Sequence, residues 1–162
     1  SHPAISTFTL IGVRGSSSSD IGMLLREGTA GTLVNGIVVD FNDACLDVDN
    51  AASHSQATAG DLQVASTFFD CPTNFSDDDD GFSEEDFALG NGFAQNTDFS
   101  ALGDGAAANN ATGVVPAAAG PESQVPVFDV TTLDPFFTDV AYIGAVEDEN
   151  DTWYQGWTLV QQ

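Results

Sequence analysis

Three short runs of β-branched and aromatic residues recur along the first half of the chain. They read Phe8-Thr9-Leu10-Ile11-Gly12, Gly36-Ile37-Val38-Val39-Asp40-Phe41 and Ser66-Thr67-Phe68-Phe69-Asp70-Cys71. Their starts are 28 and then 30 residues apart. Each run ends on a turn residue or a carboxylate. A fixed period of this size marks a stacked repeat. When the repeating unit is strand-like, each copy buries its apolar face only by sitting on its neighbour, and the chain is expected to form a β-solenoid. Such a fold is first a scaffold or a long surface, and an enzyme only where a site has been grafted onto it.

Shorter strands are expected between the main ones, at Ile21–Leu25, 33–34, Ala44–Val48 and 62–65. Gly-, Ser- and Asp-rich turns separate them at 15–20, 28–31 and 49–52. A helix through 21–27 is disfavoured by Gly22 and the flanking turns. Many short strands between turn signals fit an all-β chain. The expected fold is a short right-handed parallel β-helix of about three coils, with an irregular C-terminal segment packed on its side or end.

Three regions follow. Residues 1–71 hold the coils. Residues 72–126 form an acidic and small-residue loop region, in which Ser83 can cap a short helix over 83–89 with Asp86 three residues on. Residues 127–162 turn apolar and aromatic again as a capping segment, with strands expected over 142–146 and 157–160.

Charge narrows the partners. The chain has 25 Asp and Glu, two Arg (Arg14 and Arg26) and no Lys, for a net charge of −23. That field repels nucleic acid, anionic lipid and polyuronate chains. It favours divalent cations and a saline setting in which self-repulsion is screened. No run is long and apolar enough to span a membrane, and membrane insertion is not expected. Two cysteines, Cys45 and Cys71, suggest export and a disulfide. On the repeat alignment Cys71 falls opposite Phe41, four residues before Cys45, so the pair can bridge adjacent coils. Two free buried thiols are the alternative.

Four groups of side chains are candidates for chemistry. Ser76, Asp78 and Asp80, followed by Gly81, have the oxygen spacing of the front of an EF-hand loop. The position for a bidentate acid is Phe87, so an EF-hand is not formed. Asp78, Asp80, Glu84 and Glu85 are nonetheless a candidate Ca²⁺ site, against the alternative of a solvated acidic loop; no other cofactor is expected. Asp40, Asp43, Asp47 and Asp49 form a second acidic group. Asp47 and Asp49 are two apart on an expected strand, hence on one face and roughly 7 Å apart, a separation compatible with an inverting glycosidase pair. The companions of such a site are missing, and His54 stands alone in a Ser/Ala loop. Turn formation is the expected role of these carboxylates, and no catalytic residue is assigned. Trp153, Tyr154 and Trp157 can stack on sugar rings, but covering a flank or an end of the solenoid is the expected role. Arg26, beside Glu27, is expected to form a structural ion pair.

The tail also carries a resemblance. Residues 136–146, Phe-Phe-Thr-Asp-Val-Ala-Tyr-Ile-Gly-Ala-Val, followed by Asp151-Thr152-Trp153-Tyr154-Gln155-Gly156-Trp157-Thr158, resemble the ending of a group of secreted or surface-anchored bacterial proteins from marine and gut-associated lineages. The runs at 22–31 and 43–49 resemble the last coils of the same group. The resemblance implies a right-handed parallel β-helix that begins with more coils upstream, and it implies no catalytic residue. The expected function is therefore a non-enzymatic extracellular structural or adhesive module. It would be the end of a larger surface protein, or a subunit that stacks end to end into fibres, with itself or upstream coils as partner. The alternative is a module that binds or cleaves a neutral glycan.

Overall fold

The computed structural model describes residues 1–76, 81–90 and 121–156. Among the described residues five parallel strands form two sheets. β1 (Ala4–Ile11), β3 (Gly31–Val39) and β5 (Leu62–Asp70) make one sheet in that order. β2 (Ile21–Leu25) and β4 (Ala44–Val48) make the other, and Phe75 adds a parallel bridge to Leu46 on β4. The chain thus passes back and forth between the sheets, laying each strand beside its predecessor. Parallel strands need such crossovers and are buried on both faces, and β3, β4 and β5 are nearly all buried.

The long strands bend at one residue each. Thr7, Asn35 and Ser66 have φ of 58°, 57° and 46°. They occupy equivalent places, for Ser6 pairs with Val34 and Val34 with Ala65, while Phe8 pairs with Gly36 and Gly36 with Thr67. A left-handed residue turns the strand, so each long strand has two legs around a corner. The sequence reading divided β3 and β5 at these corners into separate strands. It also set Gly36 opposite Ser66 and Phe41 opposite Cys71. The observed register is one residue different, with Gly36 opposite Thr67 and Val39 opposite Asp70. Gly36 is required where it stands, because a Cβ there would lie within 2.3 Å of the Phe8 ring in the neighbouring strand.

The core lies between the sheets. Met23, Leu25, Val38, Leu46, Val48, Leu62, Val64 and Phe69 are buried in it. Successive turns and strands are tied to one another as well: Asp43 N–H donates to the Asp20 carbonyl, Asp49 N–H to that of Leu25 and Cys45 N–H to that of Thr73. Asn42 secures the serine turn, its Nδ2 donating to the Ser16 and Ser19 carbonyls while its Oδ1 accepts from Gly15 N–H.

Among the described residues one α-helix lies between β4 and β5 and another follows β5. α1 (Asn50–Ala59) replaces the loop expected around His54 and packs on β5. It starts at Asp49, whose backbone is extended, and ends at Gly60 in the left-handed conformation, with φ of 81°. α2 (Glu84–Gly90) packs on β5 and β4, and Asp86 N–H donates to Ser83 Oγ at 3.1 Å, the cap expected there.

The described tail runs along the outer side of the β1/β3/β5 sheet. Val130 is buried against Val34 and Ala65, with Phe128, Leu133 and Phe137 around it. Residues 142–146 form bends and not the expected strand. Gly144 has φ of 87°, and its Cα approaches Ile37 so closely that a Cβ would meet the Ile37 Cδ1 at 2.6 Å. A straight strand is incompatible with that fit. The second expected strand, 157–160, lies outside the described residues.

Candidate functional site

The corner column positions the first cluster of functional groups. Asn35 is fully buried, and its amide faces outward to the tail. Its Nδ2 donates to the Phe128 carbonyl at 2.9 Å, and its Oδ1 accepts from Phe128 N–H at 2.8 Å. Its own carbonyl accepts from Gly144 N–H at 2.9 Å. Two residues along β1, Thr9 Oγ1 accepts from Ala145 N–H at 2.9 Å. The tail is strapped to the sheet by side chains reading its backbone, an arrangement that needs no particular tail side chain at those points. Asparagine suits the position twice over, because it tolerates positive φ and presents both a donor and an acceptor.

Cys45 and Cys71 are joined in a disulfide, with Cα atoms 5.6 Å apart, linking β4 to the turn after β5. Both residues are buried. A nearby cleft of about 340 Å³ opens between residues 73–76 and the start of α2. Phe75 and Phe82 form its apolar walls, and Glu84 and Glu85 sit at the helix start. Glu84 is buried and Glu85 is exposed. Asp78 and Asp80 lie outside the described residues. Among the described residues no three His, Cys, Asp or Glu side chains cluster closely enough to hold a metal ion.

The second acidic group is dispersed. Asp40 sits at a left-handed position, with φ of 64°, and pairs with Arg14 at 2.8 Å. Asp43 is exposed in the turn, and Asp47 is buried within β4. Asp49 lies beyond the end of β4 as the residue preceding α1. Asp47 is thus buried, while Asp49 is only half-buried and leads into α1. The ion pair expected at Arg26 is instead found, among the described residues, at Arg14; Arg26 is exposed.

His54 is half-buried on α1. Its Nε2 donates to the Val48 carbonyl at 2.5 Å, and its ring stacks on Phe82 with centroids 4.3 Å apart and planes within 4°. It pins the helix to the coil and to the segment before α2. Among the tail aromatics, Phe137 packs inward while Phe136 and Trp153 remain exposed, and Trp153 Nε1 donates to the Ala145 carbonyl at 2.8 Å. Trp157 lies outside the described residues. Tyr142 has its pKa raised above 10.0, first by burial and then by the nearby Asp151 and Glu147.

The two outer strands of the large sheet differ. β5 is buried along its length except for Gln63, with α1 and α2 against it. β1 has no fully buried residue, and Ile5 is 48% exposed. On the neighbouring sheet Leu24 of β2 is 41% exposed.

The family model of the pectate-lyase-like β-helix domain matches residues 1–158. The chain belongs to that family. The match spans the strands, the acidic region and nearly all of the tail, so the strapped tail is part of the β-helix domain. No curated protein and no solved structure matches the chain.

Proposed function

We propose that this β-helix domain is a non-enzymatic extracellular structural module, a short right-handed solenoid of about three coils that works by packing against further coils. Those coils belong either to the upstream part of a longer surface protein or to another copy. Right-handedness follows from the general rule for parallel crossovers within one sheet. The observation that carries the reading is the difference between the two outer strands: β5 is covered, while β1 pairs with one strand only among the described residues and leaves Ile5 exposed. A parallel sheet edge left in that state is a template for another strand. The disulfide suits an oxidising compartment, and a charge of −23 suits saline surroundings. Asp78, Asp80, Glu84 and Glu85 are the proposed Ca²⁺ site, where the cation would relieve the repulsion among carboxylates.

A second reading has an observation of its own. The family's likeness to pectate lyase and the exposed Phe136 and Trp153 favour a surface for neutral glycans, with the Trp153 ring held by its bond to the Ala145 carbonyl. One pair of experiments separates the two. Sedimentation across a NaCl series should show association that strengthens with salt, and a glycan array with a parallel turnover assay should show no retained sugar. Saturable glycan binding by the monomer, or release of sugar fragments, would overturn the structural reading.

A further inference from the structure

The chain holds two Asn-Gly pairs, Asn35-Gly36 and Asn91-Gly92, and the second lies outside the described residues. Asparagine followed by glycine is chemically labile, because glycine has no Cβ to shield its backbone nitrogen from the preceding side-chain amide. At Asn35 that amide is held twice by the tail, its Nδ2 donating to the Phe128 carbonyl at 2.9 Å and its Oδ1 accepting from Phe128 N–H at 2.8 Å. Asn35 is fully buried. The strand pairing does not hold it: on both sides of β3 the register passes from Val34 to Gly36 and skips the corner. The labile amide is thus kept in place by a residue 93 positions further along the chain.

We infer that Asn35-Gly36 is a deamidation site guarded by the docked tail, and that its reaction makes release of the tail one-way. The inference stands apart from the structural and glycan readings above. When the tail lifts, the Asn35 amide loses both partners and can swing onto its own backbone. The Gly36 nitrogen then attacks the Asn35 Cγ. The N–Cγ bond forms, the Cγ–Nδ2 bond breaks, and Nδ2 leaves as ammonia with the Gly36 amide proton. Water opens the resulting five-membered imide at one carbonyl or the other, giving aspartate or an isoaspartyl link. Neither product can remake the clamp. An ionised carboxylate accepts hydrogen bonds but donates none, so the Phe128 carbonyl loses its donor. The position is also buried, where an unpaired charge is costly. The isoaspartyl link further lengthens the backbone of β3 at its corner.

The tail is built to open before the sheet does. Segments with few regular backbone bonds open at lower free energy than paired strands. The regular elements of the described tail are two short 3₁₀ turns, Pro121–Gln124 and Val130–Thr132. β3, by contrast, is the middle strand of its sheet, paired on both edges. Near the corner the tail is attached through Asn35, through the Thr9 hydroxyl and through Val130 on Val34 and Ala65. Gly36 is the first paired residue after the corner, so only that one pairing has to loosen for the imide ring to close. The rate of deamidation in the folded protein therefore follows the fraction of time the tail is open.

Peptide mass spectrometry of residues 1–162, incubated in mildly alkaline buffer with the disulfide intact, provides the test. Deamidation at Asn35 should be slower in the folded protein than in urea by about a hundredfold or more, as expected of a segment open about one part in a hundred. Thr9→Val removes the acceptor of Ala145 N–H, and Val130→Ala thins the contact with Val34 and Ala65. Each variant, checked for retained β-sheet circular dichroism, should speed the folded-state reaction by about tenfold and leave the rate in urea unchanged. Met23→Ala is the control, a buried change on β2 in the other sheet, and should not speed it. Asn35→Asp makes the product directly, and should render residues 128–145 about tenfold more sensitive to limited proteolysis. Equal rates in folded protein and urea would overturn the guard, as would no acceleration by either tail variant. Acceleration by Met23→Ala as large as theirs would overturn it too, because the reaction would then pass through global unfolding. A tail as protease-resistant in Asn35→Asp as in wild type would overturn the one-way release.

Discussion

Replacing Asn35 by alanine should loosen the tail and destabilise the whole domain. The substitution removes two hydrogen bonds, to Phe128 N–H and to the Phe128 carbonyl. Phe128 is half-buried, so each orphaned group should cost about 1 kcal/mol, the low end of the range for a lost partner. Alanine must also hold the φ of 57° that asparagine tolerates, which costs about 1 kcal/mol more. The expected loss is about 3 kcal/mol. Asn35→Gly loses the same bonds but accepts the backbone, so it should lose about 2 kcal/mol. Urea unfolding followed by circular dichroism gives both values, and limited proteolysis shows whether residues 128–145 detach first. A loss under about 1 kcal/mol for alanine, or glycine doing worse than alanine, would refute the reasoning, because the clamp or the left-handed corner would then not be what holds this position.

Three further expectations follow from the geometry. Reducing the Cys45–Cys71 disulfide, which spans 26 residues of sequence, should cost about 3–4 kcal/mol of unfolding free energy, and denaturant titration with and without reductant checks it. Millimolar Ca²⁺ should raise the melting temperature beyond NaCl of matched ionic strength, and Asp78→Asn with Asp80→Asn should remove that excess; equal effects of the two salts would mean screening alone. The folded pKa of Tyr142 lies above its unfolded value, so its contribution to stability is full below pH 10 and is lost as pH rises through the folded pKa; absorbance titration of wild type against Tyr142→Phe should show this, with the variant losing less stability on the alkaline side.

Much of the fold is legible in the sequence because parallel, doubly buried strands are written as plain apolar runs. β2 and β4 can be placed residue for residue from composition and flanking turns. The register is harder. Aligning the apolar runs sets Gly36 against Ser66, whereas the structure aligns residues by backbone conformation, Thr7 with Asn35 and Asn35 with Ser66. Threonine and serine do not announce a left-handed corner, and one residue of slip reverses the faces. α1 was hidden for a different reason. Its segment, Asn-Ala-Ala-Ser-His-Ser-Gln-Ala-Thr-Ala, lacks an apolar stripe, and its signals are only the alanines and the closing Gly60. The tail misled because Tyr142, Ile143 and Val146 have strand character, while the close approach of Gly144 to Ile37 depends on a partner more than a hundred residues away.

The candidate site was less legible. The pairing of Cys45 with Cys71 can be inferred because they are the only two cysteines and the repeat alignment sets Cys71 four residues from Cys45. The strap through Asn35 and Thr9 could not be, because each bonds to backbone, and backbone leaves no mark in sequence. The dispersal of Asp40, Asp43, Asp47 and Asp49 follows from the turn at Asp43 and the helix after Asp49. Counting acids without those breaks overstates their proximity.

Hydrogen–deuterium exchange of the β1 amides, read at low and high protein concentration in moderate salt, tests the account most directly. The amides of β3 should be slow at both concentrations, as should those of β5. Those of β1 should exchange quickly when the protein is dilute and slow down on concentration, because a second copy then covers the edge. β1 amides already as slow as those of β3 in dilute protein, or a concentration effect confined to β5, would contradict it.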